Sequence, residues 1–177
     1  MLSGRILVVA FEGWNDATEA ASGAVKAIAE QIQAVTLDAV DPEDYYDFQF
    51  SRPMLELDEE GNRTLSWPGA ELMQASSEKT AKIPALDDLY LLVGTEPSRR
   101  WLSFAGEVLE MVQDREIDYV IMLGAMLADV PHTRPMQVFR SSQNSVLREL
   151  FQLEPSRYEG PVGILTVLSQ AFEAEGI

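Results

Sequence analysis

Short apolar runs alternate with helix-like segments along this chain, and this alternation constrains its fold more than any other feature. The first run, residues 5–11 (RILVVAF), is nearly continuous and rich in valine and isoleucine, which is typical of a strand buried on both faces. Comparable runs predict strands at 34–40, 88–93, 119–123 and 162–168. Because strands that alternate with helices form open α/β sheets, we predict a mostly parallel central sheet flanked by helices.

The segments between these runs have helical spacing. Residues 17–33 are rich in alanine, and residues 99–115 place tryptophan, phenylalanine and valine on one face. A short helix is predicted at 144–150, a weak strand at 137–141, and a further helix beginning at Ser169. Together these segments supply the helices that a parallel sheet requires on its two faces.

Residues 41–85 interrupt the alternation. Two short runs, 54–57 and 63–67, flank a polar segment that contains Gly61, which is the pattern of a β-hairpin. A length of 177 residues suits one domain. We therefore predict a single α/β domain over residues 1–177, with a small inserted β-hairpin arm at about 41–85.

The charge of the chain excludes several classes of partner. The formal net charge is -16, which disfavours binding to nucleic acids and to anionic membranes. No apolar run approaches the ~20 residues of a membrane span, and the first ten residues lack the pattern of a signal peptide. We expect a cytoplasmic protein. The acidic surface favours either a basic protein partner or simple solubility.

Ligands of open α/β sheets bind beyond the carboxyl ends of the strands, so the loops there hold the candidate site residues. The first such loop contains Asn15 and Asp16, directly before a predicted helix. These side chains could bind a cation or a hydroxylated ligand. Alternatively, they cap the helix while Trp14 packs nearby.

The loop after the third predicted parallel strand contains Glu96, Arg99 and Arg100. Two arginines in the first turn of a helix oppose the helix dipole, which indicates that they serve another purpose. That purpose is either the binding of an anion or pairing with carboxylates of this acidic protein.

The loop after the fourth strand contains His132 and Arg134, between two prolines that stiffen the backbone. A ligand-binding interpretation makes both side chains anion ligands, or His132 a general base. A structural interpretation has His132 hydrogen-bonded to the neighbouring loop backbone.

Signatures of known chemistry are missing from the sequence. There is no G-x-S-x-G elbow and no glycine pattern of a dinucleotide or phosphate loop. One histidine and no cysteine do not match the ligand sets of zinc sites. We predict no catalytic residue, no metal and no cofactor, and the chain is more simply explained as a non-enzyme.

Four stretches in order resemble the signature stretches of the actinobacterial branch of the proteasome assembly chaperone family: GWNDA at 13–17, EPSRRW at 96–101, DVPHTRP at 129–135 and YEGPVGI at 158–164. The resemblance implies a phosphorylase/hydrolase-like α/β fold, similar to purine nucleoside phosphorylases. It also implies homo-oligomers, with a trimer as one candidate state. Since members of the family usually continue with a further strand and helices, we expect the C-terminal part of the family domain to be missing.

Two functional hypotheses follow. The first is a proteasome-assembly-chaperone-like protein that acts through protein–protein interaction, with a client such as a proteasome subunit. Its candidate contact surface is the aromatic segment 45–50, which burial would explain equally well. The alternative is a protein that binds a phosphate or a nucleoside-like molecule, or a vestigial phosphorylase-like enzyme. An oligomeric scaffold is a third hypothesis.

Overall fold

The structure is a computed structural model that describes residues 4–58 and 60–177. The chain divides into two compact units. The first, here called the sheet unit, comprises the chain up to Met126 together with Val162–Ile177, and the second unit is Leu127–Pro161.

The sheet unit contains most of the regular structure. Its elements are β1 (Ile6–Glu12), α1 (Ala20–Gln31), β2 (Val35–Ala39), α2 (Pro42–Tyr45), β3 (Met54–Leu57), β4 (Arg63–Ser66), β5 (Ala70–Gln74), α3 (Ser77–Lys82), β6 (Leu89–Thr95), α4 (Trp101–Asp114) and β7 (Tyr119–Met122). The second unit contains α5 (Ser145–Phe151), after which the chain returns to the sheet unit as α6 (Ile164–Ala174). Short 3-10 turns occur at Ala17–Glu19 and Pro84–Asp88.

The central sheet has five strands in the order β2-β5-β6-β1-β7. β1 pairs in parallel with β6 and β7, whereas β5 is antiparallel to both of its neighbours. The predicted α/β class is confirmed, and the mostly parallel sheet is confirmed only in part, because two of the four strand pairings are parallel and two are antiparallel. Both antiparallel pairings involve β5, whose sequence AELMQ lies inside the segment predicted as the arm. Gly94 permits the close approach of this strand, because a Cβ there would lie 2.2 Å from the Gly69 carbonyl oxygen.

Each face of the sheet has its own apolar core. On one face, Phe11 of β1 contacts Phe104 of α4 edge to face, with ring centroids 5.7 Å apart, and Leu168 of α6 is fully buried. On the other face, Val25 of α1 packs over Leu91 and other small or aliphatic side chains. Burial of both faces of β1 explains its continuous apolar sequence, since no position of that strand faces water fully.

The predicted strand at 162–168 is wrong, because residues 164–168 form the first turns of α6. Ile164, Leu165, Leu168 and Phe172 are buried at the spacing of one helical face. A short apolar run alone does not distinguish a buried strand from a buried helix, and here the run continues helically through Ser169. The helix therefore begins five residues before the predicted start.

The predicted hairpin is confirmed. β3 and β4 form a separate two-stranded sheet in which Leu55 pairs with Leu65, and all residues of both strands are exposed. The Asp58 carboxylate accepts hydrogen bonds from the backbone N–H groups of Glu60 and Asn62, which fixes the turn. The rest of the predicted arm is different, because its segment 70–74 is β5 of the central sheet.

The second unit has little regular structure. Asn144 caps α5, its side-chain oxygen accepting from the N–H groups of Val146 at 2.9 Å and Leu147 at 3.2 Å. The weak strand predicted at 137–141 is not formed, apart from an isolated bridge between Ser141 and Glu154. Its sequence QVFRS lacks a neighbouring strand with which to complete a ladder.

Candidate functional site

Asp16 is the N-terminal anchor of α1. Its carboxylate is buried, with Oδ1 accepting from the N–H of Ala21 at 2.7 Å and Oδ2 from the N–H of Ser22 at 3.0 Å. Burial by itself raises the pKa of Asp16, but hydrogen bonding from Ser22 and Ala21, with the charge of Lys26, outweighs it and leaves the pKa below its ordinary value. Both carboxylate oxygens are therefore occupied by the helix.

Glu96 joins three segments of the sheet unit at the carboxyl ends of β1 and β6. Its Oε1 accepts from the N–H of Ile164, the first residue of α6, at 2.7 Å, and its Oε2 accepts from the N–H of Trp14 at 3.4 Å. A carboxylate at a helix N-terminus is also favoured by the helix dipole. Glu96 thus holds the loop after β1 and the start of α6 against the end of β6.

Asn15 and Glu96 both pack against Gly163, where a larger residue would collide with their side chains. A Cβ at position 163 would lie 2.0 Å from Asn15 Oδ1 and 2.7 Å from Glu96 Oε1. Asn15 Oδ1 is buried and has no hydrogen-bond partner within the described residues, while the Asn15 backbone oxygen accepts from Ala125 at 2.8 Å. The structure therefore brings Asn15, Asp16 and Glu96 to one end of the sheet, where Asp16 is buried and Asn15 and Glu96 are half-buried.

Arg99 and Arg100 contact α2. The Arg99 guanidinium donates to the carbonyl oxygens of Glu43 and Asp44, and Arg100 forms an ion pair with the Asp44 carboxylate. Arg100 also lies over the ring of Tyr45, 5.5 Å from its centroid. Pairing with one of the protein's own carboxylates is thus present for Arg100, and a ligand-binding role for either arginine stays a prediction.

The aromatic segment 45–50 divides between core and surface. Tyr45 and Tyr46 are buried, whereas Phe50 is 85% exposed. Burial, followed by the hydrogen bond to Glu107, raises the pKa of Tyr45 to about 12. The Tyr46 hydroxyl donates to the Thr95 carbonyl oxygen at 2.8 Å, and burial raises its pKa strongly. The burial interpretation holds for the first two aromatics and fails for Phe50.

His132 and Arg134 lie in the second unit, and both are exposed. The turn that carries them is closed by the N–H of Arg134, which donates to the Pro131 carbonyl oxygen at 3.0 Å. No side-chain hydrogen bond or ion pair of either residue occurs within the described part of the chain. Their proposed role as anion ligands stays a prediction.

Concave regions occur on the described part of the sheet unit. A cavity of about 510 Å³ is lined by Arg99 together with Glu43, Asp47 and residues 46, 48 and 49. A groove of about 770 Å³ is lined by α1, β5, β6 and the hairpin. In residues 4–58 and 60–177, no three His, Cys, Asp or Glu side chains cluster as metal ligands would. No described helix is both long and apolar enough to cross a membrane.

Sequence reasoning missed the groove and the role of Gly163. The groove depends on β5, which was predicted as part of the arm, and on Trp67, which was predicted as the end of a strand. Gly163 carried a signal, because it lies between Val162 and an apolar run in one of the four recognised stretches. Its contact with Asn15, 148 residues away in the chain, could not be inferred from sequence alone.

Comparison with known proteins agrees with this geometry. The PAC2 family model matches residues 10–177. A PAC2 family protein from Streptomyces avermitilis is 39% identical, with a TM-score of 0.83 over 97% of this chain and 71% of that one. The proteasome-assembly chaperone homologue of Mycobacterium tuberculosis is 38% identical, with a TM-score of 0.81 over the same shares. A search of curated proteins gives no significant match.

A third structure shows the fold alone. This protein of unknown function from Corynebacterium glutamicum is 22% identical, with a TM-score of 0.77 over 99% of this chain and 63% of that one. Taken with the family model, the fold defines a mixed α/β protein of the PAC2 type. The chain belongs to the PAC2 family, and the resemblance found in its sequence is confirmed.

Proposed function

We propose that this protein is an assembly-chaperone-like protein that acts by binding another protein, with a proteasome subunit as the candidate client. The observation that carries this proposal is the 38% identity to a proteasome-assembly chaperone homologue across 97% of the chain. We also propose that the protein is cytoplasmic and forms a homo-oligomer, for which a trimer is the first candidate.

Exposed apolar side chains support a role in protein contact. In the second unit, Met136, Leu127 and Val138 are 89%, 85% and 78% exposed. The same unit carries four arginines and four acidic residues, so it has no net charge although the whole chain has -16. An apolar, electrically neutral surface is suited to contact with another protein, because burial of its apolar groups is favourable and no net charge repels the partner.

The alternative, binding of a phosphate or nucleoside-like molecule, has weaker support. The cavity beside Arg99 also contains Glu43 and Asp47, whose carboxylates would repel an anion. Arg99 and Arg100 already contact α2. The phosphorylase/hydrolase-like fold name that motivates this alternative, and a vestigial enzyme with it, stays a prediction.

Affinity capture tests the proposal directly. The tagged protein is purified from the lysate of its own cells, and co-purifying proteins are identified and quantified by mass spectrometry. A proteasome subunit in stoichiometric amount would support the chaperone function. The same capture is repeated with the variant Met136→Ser/Val138→Ser, which replaces two exposed apolar side chains of the second unit. This variant should lower recovery of the client if the surface contributes to binding. Absence of any stoichiometric protein partner would refute the proposal.

A further inference from the structure

The groove of about 770 Å³ lies entirely within the sheet unit and outside the cluster formed by Asn15, Asp16 and Glu96. Residues of α1 line one part of it, and the hairpin with the segment that follows lines another. β5 and β6 contribute Met73 and Val93. The volume of this open groove falls in the range of clefts that hold small molecules.

Exposed apolar side chains concentrate on the hairpin side of the groove. Phe50 is 85% exposed, Met54 63% and Trp67 48%, and all three line it. The hairpin has no buried residue in either strand, and an isolated two-stranded sheet is marginally stable in water. Filling the groove would remove apolar surface from water and stabilise the hairpin at the same time.

The charged groups of the groove leave two carboxylates available. Glu12 is paired with Lys26, and its other oxygen accepts from the Thr95 hydroxyl. Glu30 and Glu71 have no basic nitrogen within 4 Å among residues 4–58 and 60–177, while Glu71 Oε2 accepts a hydrogen bond from the Thr36 hydroxyl at 2.8 Å. Arg52 adds the second positive charge of the groove. Three acidic and two basic side chains therefore leave the groove negative.

We propose that this groove binds an extended, basic peptide segment of a partner protein, with apolar residues packed on Phe50, Met54 and Trp67 and basic residues paired with Glu30 and Glu71. Successive side chains of an extended peptide point to opposite sides, so apolar and basic residues in alternation match the two kinds of lining. The inference rests on the proposed function, because it names the chemistry of the protein that is bound.

A second copy of this chain is a poorer occupant. Its net charge of -16 opposes insertion into a negative groove, whereas a basic segment is attracted by the same field. The field also predicts how binding depends on salt. Screening at high ionic strength should weaken the binding of a basic peptide.

The test uses fluorescein-labelled hexapeptides and fluorescence anisotropy with the purified 177-residue protein. The probe alternates lysine with leucine. Two comparison peptides replace all lysines by glutamate or all leucines by serine. We expect saturable binding of the lysine–leucine peptide at 0.15 M salt, at least tenfold weaker binding of the serine peptide, and no binding of the glutamate peptide.

Variants locate the binding on the protein. Glu30→Lys combined with Glu71→Lys should weaken binding about tenfold, the value expected for two partly exposed ion pairs. Met54→Ser should weaken it about fivefold through lost apolar contact. The matched controls are Glu110→Lys, an exposed carboxylate outside the groove, and Leu57→Ser, a hairpin side chain of similar exposure that does not line it. Both should bind within twofold of wild type.

Three results would overturn the inference: no binding of the lysine–leucine peptide, equal binding of the glutamate peptide, or equal losses in the groove and control variants. The last would show attraction to the overall charge alone.

Affinity capture decides the proposed function separately. A client captured equally by wild type and by the Glu30→Lys/Glu71→Lys variant would leave the chaperone function standing and refute the groove. Peptide binding at the groove without any captured client would support the groove as a peptide site and refute the chaperone function.

Discussion

Asp16 shows how one buried carboxylate can serve the fold instead of a ligand. Its position before a helix suggested either a binding residue or a cap, and both of its oxygens accept N–H groups of α1. Asp16 precedes the two donor residues, Ala21 and Ser22, by five and six positions, because a 3-10 turn separates it from the start of α1. The capping interpretation therefore describes what the side chain does in this structure.

We expect Asp16→Ala to lower the free energy of unfolding by about 2 kcal/mol at pH 7, since a charged cap is lost. The pKa of Asp16 is lowered in the folded state, so its contribution is present above the ordinary value of 3.8 and is lost as the pH falls through the folded pKa. Urea titrations of both proteins between pH 7 and pH 2.5 should show the difference shrinking in acid.

The control for that comparison is Asp129→Ala, an exposed aspartate with no side-chain hydrogen bond or ion pair among the described residues. It should change the stability by less than about 0.5 kcal/mol at every pH. A difference between wild type and Asp16→Ala that stayed constant down to pH 2.5 would contradict the role of the ionised carboxylate.

Gly163 is the second residue whose identity the structure explains. Gly163→Ala would place a methyl group 2.0 Å from Asn15 Oδ1 and 2.7 Å from Glu96 Oε1. We expect a loss of about 1–3 kcal/mol, because both side chains must move and the Glu96 bond to Ile164 is strained. Thermal unfolding followed by circular dichroism measures the change.

Gly106→Ala is the matched control for this substitution. Gly106 lies inside α4 and has no atom within 4 Å of an added Cβ. Alanine there should raise the stability by about 0.5–1 kcal/mol through helix propensity. If Gly163→Ala were as well tolerated as Gly106→Ala, the close packing of Asn15 and Glu96 around position 163 would be wrong.

Among the elements, α6 differs most from its prediction. The run VGILTVL at 162–168 has the composition of a buried strand, and it was predicted as the last strand of the sheet. Glu96 accepts the first N–H of this segment, as helix N-termini require, and the buried side chains recur along one helical face. The segment lies against α4 and the end of β1 instead of extending the sheet.

Leu168→Ala tests this placement. Leu168 is fully buried in α6, and its truncation should cost about 2–5 kcal/mol. Leu102→Ala on α4 is the same substitution at a side chain that is 84% exposed, so it should change stability by less than about 0.5 kcal/mol. Chemical denaturation of both variants distinguishes the cases, and similar values for the two would be incompatible with the described core.

At the scale of the whole molecule, net charge and exposed apolar surface act in opposite directions on self-association. The net charge of -16 repels a second copy, while exposed leucines, methionines and phenylalanines favour contact. Because the second unit is neutral, the whole net charge belongs to the remaining residues. Ionic strength should therefore tune the balance between the two effects.

We predict that the proposed homo-oligomer forms more readily as the salt concentration rises. The Debye length falls from about 30 Å at 0.01 M to about 3 Å at 1 M, which screens repulsion between acidic subunits and leaves apolar contact. Sedimentation velocity across this range should show growth beyond the 19.7 kDa monomer. A monomer at every salt concentration would rule out the oligomer, and weaker association in salt would show that ion pairs hold it instead.

The sequence by itself determined the family, the α/β class and the hairpin. It also determined that β1, β6 and β7, which pair in parallel, are strands. These features depend on local patterns: continuous apolar runs, a glycine-containing turn and four ordered stretches. Tertiary structure alone decided that β5 enters the sheet, that 162–168 is a helix, and that Glu96, Asn15 and Gly163 meet. In each case the same local sequence is compatible with two conformations, and the choice depends on contacts with residues far away in the chain.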